Sequence, residues 1–278
     1  MNKRDILRRF SKNPIIPIGT IIIVAMILIG TFAPYLSPYN PTKMNPRSRR
    51  EGPTKEHWLG TDRLGRDMLS RMVWGSRVSL VIGVLAVAVA MGVGLTIGMI
   101  SGYYGGLLDE ILMRAMDVIF AFPSLLLAIS LIAVTGPSMR NIIFVVAVIR
   151  VPRFARILRA SVLSLKQKEF VEAARALSKS NVGIMLQHIL PNCIAPLTVE
   201  ASLSVATAII TESALSFLGL GVRPPTPSWG QMIADGRSEL FTAPWIVIFP
   251  GLAIMLTVLG YNLLGDGLRD ALDPRLRN

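Results

Sequence analysis

The 278-residue chain is 52% hydrophobic and 17% charged, with a mean hydropathy of +0.54 and a formal net charge of +12. Soluble domains carry about 25% charged residues, so this composition points to lipid as the solvent. The basic residues flank apolar runs and have no aromatic–basic face beside them, which excludes nucleic acid as the partner and assigns the charge to membrane topology.

In chain order, Lys3, Arg4, Arg8, Arg9 and Lys12 precede an apolar stretch over 15–36. About 20 residues cross the hydrocarbon core, whereas a signal-peptide core has about 7–15. No small-residue cleavage site follows. The stretch is therefore expected to be an uncleaved first transmembrane helix, with residues 1–14 in the cytoplasm. Residues 37–77 read as an external loop. Its turn-rich part, from His57 to Asp67, leads into an amphipathic helix whose apolar face is Met68, Leu69, Met72 and Val73. Asp67 and Arg71 are four apart and placed to pair, a contribution of about 0.3–0.5 kcal/mol. A plain interfacial anchor is an equal reading of this helix.

A second span is expected over 78–100. Gly94, Gly98 and Gly102 recur in it every fourth residue, a spacing that lets another helix approach closely. The third span, 111–134, contains Pro123, which should kink it by removing one backbone hydrogen bond. The fourth, 142–158, is interrupted by Arg150, Pro152, Arg153 and Arg156, so its membrane part should end near Pro152 and continue as a cytoplasmic helix. Residues 159–191 then form a polar cytoplasmic loop. It holds a short helix with Phe170, Val171, Glu172, Ala173, Ala174 and Leu177, a turn around Ser178 and Asn181, and Pro191 at the first turn of the fifth span.

The fifth span, 193–220, has the lone Cys193 at its foot, so no internal disulfide is possible. His57 and His188 stand far apart without cysteine partners, so no metal site is expected. The fifth span also carries Glu200 and Glu212. Glu212 sits roughly 15 Å from the outer end at 1.5 Å per residue, and a carboxylate at that depth must face a cavity or a partner. Twelve residues at about 100° each leave the two carboxylates some 120° apart, so they should not share a partner. Structural hydrogen bonding and pathway contact are both open for either. A proline-rich external loop with Pro225 and Trp229 precedes a sixth span over 245–264, and a polar tail covers 269–278. Residues 78–268 thus form a five-helix core. The loops rich in Lys and Arg, 153–179 and the tail, set both termini in the cytoplasm, although the external loop 37–77 is also basic.

Four segments carry a resemblance. Glu172, Ala173, Ala174, Leu190 and Pro191 match in register the EAA-x3-G-x9-I-x-L-P loop of permease subunits of ATP-binding cassette importers, with Ser178 in the glycine position and His188 in the isoleucine position. Serine makes that turn as long as the backbone does not require φ > 0. Residues 57–80, including Asp62, Arg66, Asp67 and Arg71, resemble the LGTD-x-LGRD-x-x-SR signature of the second permease of dipeptide, oligopeptide and nickel importers. Residues 212–230 resemble E-x-x-LSFLGLG-x-x-P-x-P-x-WG, and residues 262–275 resemble N-x-x-GD-x-LRD-x-LDPR of the same subunits.

The resemblance implies an all-α polytopic membrane protein of about six transmembrane helices, with a type I importer permease fold and a cytoplasmic coupling helix. It implies a bacterial or archaeal cytoplasmic membrane, a second homologous permease, two ATPase subunits or domains, and an extracytoplasmic solute-binding protein. ATP and Mg would be bound by the ATPase chains, since no G-x-x-x-x-G-K-[ST] loop occurs here; no cofactor and no enzymatic activity are expected of this chain. The family assigns Phe170, Glu172, Ala173, Ala174, Leu177, Ser178, Leu190 and Pro191 to ATPase coupling. Asp62, Arg66, Asp67, Arg71, Pro225 and Trp229 become candidates for the external gate or the binding-protein contact. The expected cargo is di- or oligopeptides. Nickel or a metal chelate is the alternative within the family, and an ATP-independent channel or carrier relaying through Glu200 and Glu212 is the alternative outside it.

Overall fold

The computed structural model describes residues 15–272. The basic cluster from Lys3 to Lys12 and the tail residues Pro274, Arg275 and Arg277 lie outside the described residues. Among the described residues the chain is all α-helical, as expected, with no strand. The helices are α1 (Ile15–Thr31), α2 (Met68–Tyr104), α3 (Gly106–Ala121), α4 (Ser124–Thr135), α5 (Met139–Leu165), α6 (Glu169–Ala176), α7 (Leu190–Phe217), α8 (Trp229–Gly236) and α9 (Trp245–Leu272). By length and composition α2, α9 and the continuous helix Asn181–Phe217 that contains α7 can each cross a membrane. The pair α3 and α4 supplies a fourth crossing if counted as one. Apolar α1 is 17 residues long, and α5 is long enough but carries five arginines.

Four boundaries differ from the sequence expectation, each for a local reason. The amphipathic helix expected inside 37–77 is not separate: Asp67 caps it, and it runs on as α2 for 37 residues, because nothing between Val73 and Val78 stops it. The third span is not kinked but broken. Pro123 biases Phe122 to extended backbone (φ −92°, ψ 138°), and α3 and α4 diverge by 93°. The fifth span starts at Asn181 instead of Pro191. A π-helical turn over Met185–Ile189 widens the backbone just ahead of Pro191, so the helix passes the missing N–H without stopping. The tail continues as helix to Leu272, since Gly265 and Gly267 seat against Leu203 and Ile16.

The long α2 is the axis of the bundle, and α5 lies along it. Gly94, Gly98 and Gly102 form the expected contact stripe. A Cβ added at Gly94 would lie 2.5 Å from the Phe154 Cβ, one at Gly102 2.8 Å from the Val162 Cβ, and one at Gly98 would meet the Ala155 carbonyl. Lipid tails give helices no apolar driving force, so close backbone approach and dispersion hold such pairs. Phe154, Ala155, Leu158 and Val162 are buried on the α5 side, and Ala86, Ala90 and Ile82 line the rest of α2. Helices α7 and α9 pack on each other, and α1 lies against α9. The bundle has two distinct ends. One holds the 37–67 loop, α8 and the start of α9; the other holds α6 and the turn after it.

Gly98→Leu should force α2 off α5. Overpacking of this kind costs about 1–3 kcal/mol. The purified assembly should melt several degrees lower than wild type, and an unchanged melting temperature would show that the stripe is not the contact it appears to be in the fold.

Candidate functional site

Helix α6 begins with Glu169 and Glu172 and ends with Arg175, charges that complement its dipole. Val171 and Ala174 turn inward, into the cluster with Ile184, Met185 and Ile189. Phe170, Ala173 and Leu177 therefore share the outward face with Glu172, and Leu177 is 82% exposed. Ala174, one of the residues the resemblance assigns to ATPase coupling, is buried in this chain, where the helix packs on the following segment. The hairpin is fixed to the end of α2. The Tyr103 hydroxyl lies 2.8 Å from the Asn181 Oδ1, the Arg175 guanidinium stands 5.8 Å from the Tyr103 ring, and Lys166 donates to the Gly102 carbonyl at 2.9 Å.

Ser178 adopts φ +55°, the left-handed conformation that glycine occupies without a Cβ penalty. The backbone does need φ > 0 at the family's glycine position, and serine makes the turn nonetheless. The Ser178 and Lys179 amides donate to the Arg175 and Ala174 carbonyls at 2.9 and 3.2 Å and close the helix. His188 faces the start of the hairpin, with its Nε2 3.1 Å from Lys179 Nζ, while the neighbouring Ile189 takes the core position. Leu190 is half-buried and Pro191 exposed.

At the opposite end, Asp62, Arg66, Asp67 and Arg71 are all buried, as is Trp229. The resemblance makes them candidates for the external gate or the binding-protein contact; in the structure their side chains turn inward and hold the loop together. Arg66 Nε donates to Asp62 Oδ2 at 2.6 Å, and the Leu64 and Arg66 amides donate to Asp62 Oδ1 at 2.8 and 2.9 Å. Asp67 does not pair with Arg71. It caps α2, accepting from the Ser70 amide and hydroxyl at 2.8 and 2.7 Å, and contacts His57 Nδ1 at 2.8 Å. Arg71 instead lies 3.5 Å from Asp62 and 3.8 Å from Asp235. Asp235 of α8 also meets Arg63 and Arg66, each at 3.4 Å. Trp229 packs over Gly75 and donates to the Met72 carbonyl at 3.1 Å. Of the six, Pro225 alone is exposed; with Tyr39, Trp74 and Thr226 it lines an open cleft of about 610 Å³.

Within the bundle, Glu212 is fully buried in a cage of hydroxyls. Ser79 of α2 and Ser216 donate to it at 3.1 and 2.8 Å, and Ser228, just before α8, stands 3.4 Å from Ser216. Among the described residues no cation pairs with it. Glu200 has a different environment: it forms an ion pair with Arg153, Nε to Oε1 2.6 Å, and accepts from the Ser204 hydroxyl at 2.9 Å. The two carboxylates have separate partners, as their spacing predicts.

Sequence reasoning missed two further pairs and one cation. Arg156 meets Asp117 of α3 at 2.5 Å, and Arg159 makes a bidentate pair with Asp109, both bonds 2.6 Å, where the Ser101 hydroxyl also donates. Arg150 has a buried Nε without a hydrogen-bond partner. The signal was present in the chain: Arg150, Arg153, Arg156 and Arg159 recur every third residue along one helix.

Residues 94–278 match the family model described as binding-protein-dependent transport system inner membrane component, and residues 3–53 match the N-terminal TM domain of oligopeptide transport permease C. The chain is 47% identical over 275 residues to the dipeptide transport system permease protein DppC of Alkalihalophilus pseudofirmus, covering 99% of this chain and 90% of the relative. It is 45% identical over 276 residues to the glutathione transport system permease protein GsiD of Pectobacterium atrosepticum, covering 99% and 92%. Among solved structures, inward-facing conformations of the MetNI methionine ABC transporter superpose with a TM-score of 0.61 at 16% identity, over 74% of this chain and 98% of theirs.

Ser178→Gly should stabilise the hairpin, because serine in the left-handed region costs about 1 kcal/mol that glycine does not. Hydrogen exchange across α6 should slow by roughly fivefold, that energy read as an opening constant. Unchanged or faster exchange would mean that the φ of Ser178 carries no strain.

Proposed function

The chain belongs to the binding-protein-dependent transport system inner membrane component family, the permease subunits of ATP-binding cassette importers, and on that premise we propose that it carries di- or oligopeptides inward across a bacterial or archaeal cytoplasmic membrane. It works paired with a second permease, with α6 as the coupling helix that seats on an ATPase subunit. ATP and Mg act on the ATPase chains, and a solute-binding protein delivers cargo at the end formed by the 37–67 loop and α8.

The observation that carries this reading is the hairpin. A rigid eight-residue helix shows Phe170, Ala173 and Leu177 to solvent and is tied to the end of α2. An apolar side chain as exposed as Leu177 fits a partner's groove. Motion of that partner would reach α2 through Tyr103 and Lys166, and reach α5 directly, since α6 follows it after a short turn. ATP-driven closure of the ATPase pair would then favour one arrangement of the two permeases over the other.

The relatives named for dipeptides and glutathione support a peptide cargo. The orientation with both termini in the cytoplasm gains support from the ion pairs of the loop. Arg50 pairs with Glu239, and Arg63, Arg66 and Arg71 meet Asp62 and Asp235. Those basic groups are paired with carboxylates of the same chain, Arg66 and Arg71 in its interior, and weigh less in the topology. Against an autonomous proton carrier, Glu200 and Glu212 close on separate partners.

Proteoliposomes holding this chain, its partner permease and both ATPases should take up labelled dipeptide only with ATP inside and liganded binding protein outside. Uptake by this chain alone would favour a channel or carrier, and ATP-driven uptake of a nickel chelate without peptide uptake would favour the metal branch.

A further inference from the structure

Arg77 is the last charged residue before a long neutral run. None occurs from Val78 to Leu108, and none within α1. The two helices touch at this level: a Cβ added at Gly30 would lie 3.2 Å from the Arg77 Cα and from the Ser76 Oγ, one residue before α1 ends at Thr31. One turn back on α2, the Trp74 ring stands 5.8 Å from the Arg77 guanidinium. Tryptophan favours the membrane–water boundary. Arg77 thus marks where the apolar layer begins on both helices.

A groove of about 540 Å³ lies between α1 and α2, lined by Ile27 and Thr31 of α1 and by Arg77, Val81, Val84 and Leu85 of α2. The α2 positions follow the i, i+4, i+7, i+8 pattern of one helix face. Ile27, Val84 and Leu85 are exposed. Arg77 is the one charged residue of the lining, and among the described residues no carboxylate pairs with it. The other arginines of this end differ, since Arg50, Arg63, Arg66 and Arg71 each meet a carboxylate.

We propose that this groove binds one anionic phospholipid, its phosphate on Arg77 and the start of an acyl chain along Val81, Val84 and Leu85. The site has the shape of an amphiphile: an unpaired cation at the membrane boundary, continued by an apolar wall. A guanidinium presents a planar fork that matches phosphate oxygens in two parallel hydrogen bonds, a geometry that lysine lacks. The lining offers no carboxylate to the ammonium of a zwitterionic headgroup, which favours a lipid of net negative charge such as phosphatidylglycerol. A helix of another protein seated here would have to bring its own carboxylate to Arg77, whereas the lipid brings the charge and the hydrocarbon together.

The test titrates the assembled, delipidated transport complex with phosphatidylglycerol or phosphatidylethanolamine of the same acyl chains and counts bound lipids by native mass spectrometry. Arg77→Gln should weaken one phosphatidylglycerol about tenfold, as expected for the loss of a charged hydrogen bond. Arg77→Lys should weaken it less. Val84→Trp fills the groove without touching the charge and should displace the same lipid. Phosphatidylethanolamine should bind more weakly and be unaffected by Arg77→Gln. If Arg77→Gln assembles poorly, Val84→Trp on the exposed wall still decides the matter. Unchanged phosphatidylglycerol binding in an assembled Arg77→Gln or Val84→Trp complex overturns the site, and so does equal loss of both lipids. Displacement of the lipid by an equal concentration of inorganic phosphate would make it a free-anion site and contradict the proposal. A photo-crosslinker at Val84 should capture lipid; capture of the second permease instead would show that protein covers the groove, and would also overturn it.

Discussion

Charges on a packed helix seek partners on its neighbours, and in this chain that pairing organises the bundle. Helix α5 brings a row of arginines between α3 and α7, and the answering carboxylates come from those neighbours: Asp109 and Asp117 from α3, Glu200 from α7. Glu200 is buried, so removing Arg153 would strand its charge, whereas Arg156 and Asp117 are half exposed and their pair contributes about 1 kcal/mol or less. The pairs therefore help to select which helices stand beside α5, since lipid competes for apolar contact on equal terms. On its remaining side α5 meets the glycine stripe of α2, where the contact is backbone against side chain.

The same helix links the two ends of the account. Its last turn leads within a few residues into α6, and α6 is fastened to α2 by Tyr103, Asn181 and Lys166. A push on α6 therefore reaches the charged row on α5 and the axis of the bundle together. At the far end, α2 is capped by Asp67 and anchored by Trp229, and the ion pairs around Asp62 and Asp235 join the 37–67 loop to α8. Glu212 bridges α2 and α7 by hydroxyls alone. The long helix is thus held at three levels, which suits an element that moves as a rigid body.

Much of this was legible in the sequence because its causes are local. The glycine spacing of α2, the positions of the apolar runs and the separate surroundings of Glu200 and Glu212 all follow from helical periodicity. The hairpin was visible as a polar island with a recognisable motif. What was not legible depends on partners distant in the chain. Asp67 looked like the mate of Arg71 because the two are four apart, yet it serves as a cap while Arg71 turns to Asp62 and Asp235. Trp229 looked like a residue of the external loop open to a partner, but Gly75 gives it a seat inside. The inward turn of Ala174 depends on where the segment after Ser180 folds back, whereas Pro123 was legible as a local disruption and only its size, a 93° break, was not.

The claim that α6 couples this chain to an ATPase is tested most directly by contact. With Cys193 replaced, single cysteines at Ala173 or Leu177 should crosslink to an ATPase subunit in the assembled complex, and ATP should change the yield. Cysteines at Ser138 and Thr226, at the opposite end of the bundle, should not. Crosslinking from Ser138 or Thr226 with none from Ala173 or Leu177 would invert the topology and contradict the coupling role of the hairpin.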